Sequence, residues 1–185
     1  MVVIPVSRLA TLQLHREALQ FSAGHFTILS PTERENLHGH TYSLSAAFQV
    51  QLHADGMNFD YRYYKNKLLM LSDHIDRRFL LPGKSRYLRI EDAGDLWIAH
   101  FNQERIPFLK RDIVILPIGN ITIEELSGWF LNQLIQDQEE LNRYQIRSIT
   151  IQVYNGPGHS GAAHWQLDEA KSQSQNHALL SFPRK

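Results

Sequence analysis

The sequence predicts a single domain of the α+β class. Two strand-like segments come first, a helical segment follows, and a second helical segment precedes a last strand, with short strands between the helices. A chain of 185 residues with 43% apolar residues is long enough for one hydrophobic core. We assign residues 1–170 to this domain and residues 171–185 to a polar C-terminal tail rich in Gln and Ser.

The two N-terminal strands are predicted from residue type and from alternation. Residues 9–27 are rich in apolar and β-compatible side chains, and residues 42–52 alternate between apolar and polar positions. The apolar positions of the second segment are Leu44, Ala46, Phe48 and Val50. Because successive side chains of a strand point to opposite faces, this alternation predicts one buried face. The two strands could pair as a long hairpin.

Two helices are predicted from apolar spacing and from capping residues. Asp60 stands where a carboxylate can cap a first helix, which should extend to about His74. The apolar residues at helical spacing in it are Tyr64, Leu68, Leu71 and Ile75. Thr122 and Glu125 form a capping box that opens a second helix, which should end near Asn142. Its apolar face consists of Leu126, Trp129, Phe130, Leu134 and Ile135.

Short strands are predicted in the remaining segments. Residues 86–116 contain short alternating runs that are broken by turn-forming residues at 92–95 and 102–104. We interpret this segment as a β insertion or as a set of additional strands. Residues 146–154 form the last strand, which ends at the turn sequence Asn155-Gly156-Pro157-Gly158.

Composition restricts the possible functions. Nineteen basic residues balance nineteen acidic ones, so no long-range field favours nucleic acid or a membrane as a partner. The sequence contains no run of about 20 apolar residues and no signal-peptide pattern at residues 1–8, so we expect a cytoplasmic protein. Cysteine is absent, which excludes disulfides and thiolates, and any zinc site must therefore use imidazole and carboxylate groups.

Three histidines are candidates for a metal site. In His38-Gly39-His40 both imidazoles project to one face of an extended backbone, with their Cα atoms roughly 7 Å apart. His25 adds a third imidazole if its strand pairs alongside. Three protein ligands leave one position of a tetrahedral zinc ion open, as in catalytic zinc sites. The alternative is a polar turn whose histidines form ordinary hydrogen bonds.

Five short motifs follow one another along the chain. They are residues 21–26 (FSAGHF), 35–42 (ENLHGHTY) and 56–61 (GMNFDY), the pair Asp73-His74, and residues 122–124 (TIE). In this order they resemble the family of 6-pyruvoyltetrahydropterin and 6-carboxytetrahydropterin synthases. Each motif is short, but five motifs in the family's order over about residues 10–165 are specific.

This resemblance implies the tunnelling fold, in which two antiparallel hairpins form a four-stranded sheet with two helices on one face. Subunits of that fold close into a β-barrel with the active sites between them, so we expect a homohexamer, a dimer of trimers. His25, His38 and His40 would bind zinc, and the substrate would be dihydroneopterin triphosphate, whose side-chain hydroxyls coordinate the metal. Asp73 and His74 would be a proton relay, in the same or a neighbouring subunit's site.

The chain departs from the family at the catalytic base. Most members have a cysteine four residues before the HGH triplet, where this chain has Arg34. Glu35 instead resembles the family's E-x-x-HGH variant, whose members resemble enzymes that make 6-hydroxymethyl-7,8-dihydropterin. A carboxylate beside a zinc-bound diol could deprotonate the hydroxyl of the second side-chain carbon and cleave the bond to the first, as in a retro-aldol reaction. Alternatively, Glu35 is one more charge of the polar loop 31–36, where Glu33 could replace it.

A second departure concerns substrate binding. After the last strand the family usually has a glutamate that binds the amino-pyrimidine edge of the pterin, and this chain has Asn155. Losing such a charge-assisted hydrogen bond costs roughly 1.5 to 3 kcal/mol. Thr122 and Glu124 match the T-x-E motif, and Glu124 could hold the ring in part or act only as a first-turn acid of the helix. His159 and His164 in the terminal loop are near enough to contribute to the site. The alternative is that they have surface or packing roles.

Three functions therefore compete. The first is a zinc-dependent lyase that converts dihydroneopterin triphosphate into 6-hydroxymethyl-7,8-dihydropterin, a folate precursor, with Glu35 as the base. The second is a 6-carboxytetrahydropterin synthase of the deazapurine (queuosine) pathway, in which His74 takes over more of the proton transfer. The third is a zinc-containing homologue that binds a pterin or purine without turnover, which Arg34 and Asn155 together motivate.

Overall fold

A large sheet and a small sheet form the β structure of the protein. The computed structural model describes residues 8–15, 17 and 19–167, so the tail expected at 171–185 lies outside the described residues. In the described part the strands are β1 (Arg8–Leu14), β2 (Gln20–His25), β3 (His38–Leu52), β4 (Arg78–Pro82), β5 (Leu88–Ala93), β6 (Leu96–Phe101), β7 (Glu104–Leu109), β8 (Ile113–Leu116), β9 (Ile146–Asn155) and β10 (Ser160–Gln166). The helices there are α1 (Arg62–Ile75), α2 (Ile123–Leu134) and α3 (Gln138–Arg143).

The large sheet is built around β3, the longest strand. β1 and β2 pair with successive halves of one edge of β3, and β9 pairs with the other edge and with β10, all antiparallel. The expected four-stranded antiparallel sheet is therefore confirmed, although the segment 9–27 forms two strands rather than one. Beyond β2, the sheet continues with β4 and β8 in parallel pairing. β4 follows α1 almost directly, and the sequence interpretation did not include it.

Helices α1 and α2 cover one face of the large sheet. The ring of Phe48 in β3 lies 4.7 Å from that of Tyr64 in α1, and Phe21 in β2 lies 5.7 Å from Phe130 in α2. These side chains belong to one core with the alternate apolar residues of β3 and β9. The periodicities of the sequence therefore predicted the packed faces correctly.

The predicted helix starts are confirmed at one helix and corrected at the other. Helix α1 has Tyr61 as its N-cap and no side-chain cap, so the expected cap at Asp60 is wrong, although the Asp60 carboxylate accepts the backbone N–H of Arg62 at 2.9 Å. The cap of α2 is confirmed, because the Thr122 hydroxyl accepts the backbone N–H of Glu125 at 3.3 Å. The second helix ends at Leu134 and not near Asn142 as expected. The reason is a new cap, because the Asp137 carboxylate accepts the N–H of Glu140 at 2.9 Å and starts the separate helix α3.

The β insertion predicted at 86–116 is confirmed as a three-stranded antiparallel sheet, β5-β6-β7, followed by β8 of the large sheet. It encloses a second core made of Phe26, Ile28, Leu81, Leu88, Ala99, Phe101 and Ile113. Because Phe26 directly follows the last residue of β2, this core begins beside the end of the large sheet.

Strand β10 was missing from the order predicted by residue patterns, and His164, expected in a loop, lies on it. Its residues 160–163 are small and show no apolar alternation. The small residues are required by packing, since a Cβ at Gly161 would lie 2.6 Å from the backbone nitrogen of Glu124. None of the helices in the described part is both apolar enough and long enough to cross a membrane.

Candidate metal centre

Three histidines meet where the hairpin of β2 and β3 begins. His25, the last residue of β2, pairs with His38, the first residue of β3, and His40 lies two residues further on the same face. The ring centroids are 4.4 Å apart for His25 and His38, 4.7 Å for His38 and His40, and 5.2 Å for His25 and His40. One nitrogen of each ring lies within 4.8 Å of the others. This spacing could hold one metal ion.

Backbone carbonyls orient two of the three rings. Nδ1 of His25 lies 3.1 Å from the carbonyl oxygen of Ile121, and Nδ1 of His38 lies 2.8 Å from that of Asn36. A carbonyl only accepts, so each Nδ1 carries the proton and each Nε2 keeps a free lone pair. Nε2 of His25 is buried and has no hydrogen-bond partner in the described part of the chain. A bound cation would satisfy this nitrogen, and three imidazoles are a donor set that suits zinc.

The surroundings keep the cluster in the form that binds metals. Burial, with smaller contributions from His38 and His40, lowers the pKa of His25 to about 4. Burial also lowers the pKa of His40, and the neighbouring His38 adds to the effect. Both rings are therefore neutral near pH 7, and a neutral imidazole is the species that coordinates a metal.

Glu35 lies next to the cluster. One of its carboxylate oxygens is 3.9 Å from Nε2 of His38 and accepts the backbone N–H of Thr27 at 3.0 Å. Hydrogen bonding from the Thr27 side chain, with a smaller contribution from its backbone N–H, lowers the pKa of the Glu35 carboxyl, so the group is ionised and able to accept a proton. Glu33, the alternative base, is exposed and uses its backbone carbonyl to close the loop onto Leu29.

The predicted substrate-binding residues differ in their position relative to the cluster. Thr122 begins α2 directly after Ile121, whose carbonyl holds His25. Asn155 lies opposite Tyr42, two residues from His40 on β3, at the rim of the same face. Glu124 is exposed in the first turn of α2. The structure thus brings the segments of Thr122 and Asn155 to the cluster, and the binding roles of all three residues stay predictions.

Asp73 and His74 are exposed on the last turn of α1. Neither residue forms a hydrogen bond or ion pair with the cluster within the described residues of this chain. The sequence interpretation overlooked the neighbouring turn, where Asp76 accepts the N–H of Ser22 and Arg77 donates its N–H to the Ser22 carbonyl. The relay role of Asp73 and His74 therefore stays a prediction that a second subunit would have to complete.

The two terminal histidines lie on and beside β10, and the backbone carbonyl of His159 accepts the N–H of Asn155 at 3.1 Å. Nδ1 of His164 on β10 is 2.9 Å from the Thr150 hydroxyl of β9, and His159 is exposed in the turn between these strands. The surface role considered for them agrees with these positions.

The chain is similar to proteins of pterin metabolism. Residues 14–164 match the family described as 6-pyruvoyl tetrahydropterin synthase. The crystal structure of 6-pyruvoyl tetrahydropterin synthase from Plasmodium vivax aligns with a TM-score of 0.81 and 28% identity over 86% of this chain and 99% of that one.

Two further comparisons bear on the site. A P. vivax structure in which a catalytic glutamate is replaced by alanine aligns over the same shares of the two chains, with a TM-score of 0.81 and 27% identity. A provisionally assigned 6-carboxy-5,6,7,8-tetrahydropterin synthase of Pyrococcus horikoshii is 24% identical over 139 residues, which are 75% of this chain and 81% of the relative.

Proposed function

The chain belongs to the 6-pyruvoyl tetrahydropterin synthase family, and from this premise we propose that it is a zinc-dependent lyase acting on dihydroneopterin triphosphate. The proposed product is 6-hydroxymethyl-7,8-dihydropterin. The observation that carries the proposal is the ionised Glu35 carboxylate, 3.9 Å from a nitrogen of the three-histidine cluster. Because the chain has no cysteine, the base cannot be a thiolate, and a carboxylate can take that role.

His25, His38 and His40 would hold the zinc ion, because each can direct a free nitrogen lone pair to one point. When bound, zinc would acidify the two hydroxyls of the substrate side chain and polarise the carbonyl that forms from one of them. The carbonyls of Ile121 and Asn36 would keep their two rings in the ligating orientation during turnover.

Glu35 would remove the proton from the hydroxyl of the second side-chain carbon. That carbon then becomes an aldehyde as its bond to the first carbon breaks, and the electron pair passes into the ring system of the dihydropterin. The first carbon takes up a proton and becomes the hydroxymethyl group, so the reaction needs no oxidant or reductant. The phosphates leave with the aldehyde fragment.

The relatives support this assignment in two ways. The P. vivax enzyme has a catalytic glutamate, which shows that a carboxylate serves as a catalytic residue in a protein similar to this one. The P. horikoshii relative is assigned to 6-carboxytetrahydropterin synthesis, and this favours a second candidate function, the synthesis of 6-carboxytetrahydropterin for a deazapurine pathway.

We also expect the family's hexamer, a dimer of trimers. The exposed positions of Asp73 and His74 support it, because a relay on the surface of one chain needs a neighbouring subunit to reach a metal site. Light scattering of the purified protein would measure the mass of the assembly, and a monomer with full activity would contradict this part of the proposal.

The products formed by the zinc-loaded protein test the proposed reaction. We would incubate the protein with dihydroneopterin triphosphate and separate the pterins by chromatography, in parallel with Glu35→Ala and the matched control Glu33→Ala from the same loop. We expect 6-hydroxymethyl-7,8-dihydropterin from the wild type and from Glu33→Ala, and none from a Glu35→Ala protein with unchanged zinc content. A 6-carboxy product would establish the second candidate, and no product would indicate a homologue that binds without turnover.

A further inference from the structure

The inserted sheet β5-β6-β7 is joined to the loop that carries Glu35 through one arginine. Nε of Arg34 donates to a carboxylate oxygen of Glu104 at 2.7 Å, and a second guanidinium nitrogen lies 2.5 Å from the same oxygen. Glu104 is the first residue of β7. The insertion thus contacts the residue directly before the candidate base.

Arg34 is also held on its other sides. Its third guanidinium nitrogen donates to the backbone carbonyl of Glu35 at 2.8 Å. The guanidinium carbon lies 5.1 Å from the ring centre of Phe26, the buried residue that follows the metal-ligand candidate His25. The Arg34 side chain is only 16% exposed, so one planar group connects the insertion, the Glu35 backbone and the end of β2.

The backbone around Glu35 forms a small hairpin. Ile28 and Arg34 form an antiparallel bridge, and the N–H of Glu35 donates to the carbonyl of Thr27 at 2.9 Å. The carboxylate of Glu35 is 42% exposed, and its hydrogen bonding comes from Thr27, on the opposite strand of this small hairpin. Its position is therefore set mainly by the backbone on either side, and Arg34 fixes the carbonyl of that backbone.

We propose that the Arg34–Glu104 pair is a positioning device, through which the inserted sheet keeps the Glu35 carboxylate at the histidine cluster. The proposal rests on the proposed function in taking Glu35 as the base. Because the Glu104 side chain is 52% exposed, the pair adds little to global stability. In contrast, a misplacement of about 1 Å at a reacting group lowers a rate roughly 100-fold. Loss of the pair should therefore change turnover far more than folding.

Glu104→Ala is the variant that tests this role, with Asp92→Ala as its matched control. Asp92 pairs with Lys110 in the same inserted sheet and is 55% exposed, close to the 52% of Glu104. We expect kcat to fall roughly 10- to 100-fold in Glu104→Ala, with KM, zinc content and melting temperature unchanged, and kcat to be unchanged in Asp92→Ala. Glu104→Gln, which keeps one acceptor for Arg34, should recover part of kcat.

Amide hydrogen exchange of the metal-free protein gives a readout that does not depend on activity. We expect the amides of residues 29–35 to exchange faster in Glu104→Ala than in the wild type or in Asp92→Ala. If the wild type has no turnover, the proposed function fails, and exchange alone still decides whether Glu104 fixes the loop. Unchanged exchange would overturn the proposal, and so would a loss of kcat that accompanies lost zinc or unfolding.

Discussion

Two polar clusters lie against the core of this protein, and their buried groups are compensated to different degrees. Between α1 and α3, the carboxylate of Glu140, which is 9% exposed, accepts hydrogen bonds from Nζ of Lys67 at 2.8 and 2.7 Å and from the hydroxyl of Tyr63. At the hairpin of β2 and β3, Nε2 of His25 is buried without any such partner among the described residues. Among the described residues, the Glu140 carboxylate has hydrogen-bond partners that compensate its burial, and Nε2 of His25 has none.

The difference distinguishes a cluster that links two helices from a cluster that could hold a metal ion. Lys67 and Glu140 compensate each other's desolvation, and together they tie α1 to α3. The three imidazoles only repel one another when protonated, and burial lowers the pKa of His25 and His40 further. A buried polar group without a partner is destabilising, and a cation held by the three histidines, which could bind one, would compensate the cost at Nε2 of His25. The comparison leads to three predictions.

The largest expected effect is the loss of metal binding in His25→Ala. A structural zinc ion binds with roughly 10–16 kcal/mol shared among its ligands, so removing one ligand should weaken zinc binding about a thousand-fold. Competition titration with a chromophoric chelator would measure it. His164→Ala, which removes an exposed histidine of β10, is the control and should bind zinc like the wild type. Equal affinities in the two variants would contradict the assignment.

Glu140→Ala should act on stability instead. It leaves Lys67, whose side chain is 31% exposed, without its partner, and we expect the free energy of unfolding to fall by about 3 kcal/mol. Urea denaturation would measure this change, and zinc affinity should stay the same. A control is Arg89→Ala, which breaks only the exposed pair with Glu91 and should change the midpoint little. If Glu140→Ala weakened zinc binding instead, the two clusters would not be separate.

The third expected effect is a pH dependence of the metal-free protein. His25 has a folded pKa of about 4 against 6.5 in the unfolded chain. The unfolded state therefore binds the proton first, and stability should decrease as the pH falls from about 6.5 to 4. Urea midpoints at several pH values would show this slope, which should be weaker in His25→Leu. The same slope in both proteins would assign the effect to other groups.

The sequence predicted those parts of the fold that depend on local periodicity. The alternation from Leu44 to Val50 and the cap at Thr122 correspond to observed burial and contacts, whereas the cap expected at Asp60 is one residue away from the observed N-cap, Tyr61. It failed where non-local pairing decides the structure. Strand β4 is paired by β2 and β8, and β10 begins with small residues, of which Gly161 packs against the start of α2. The cap at Asp137 was also missed, because the apolar spacing continues past Leu134 to Ile135.

The candidate metal ligands could be predicted from the sequence, and the contacts that hold them and Glu35 in position could not. The HGH triplet and His25 could be identified because the strand period fixes which face their rings take. Arg34 could be recognised only as a departure from the family, since its partner Glu104 is 70 residues away. The contact between His25 and the carbonyl of Ile121, 96 residues away, involves a backbone group, so the type of residue at position 121 does not indicate it. Contacts of this kind depend on the complete fold.

The proposed function requires that His25, His38 and His40 bind one zinc ion. The most direct test is a crystal structure of the zinc-loaded protein with data collected on both sides of the zinc absorption edge. We expect one anomalous peak at about 2.0–2.1 Å from a nitrogen of each of the three rings, near the Glu35 carboxylate. A peak at other side chains, or zinc-loaded crystals without a peak between these histidines, would contradict the claim.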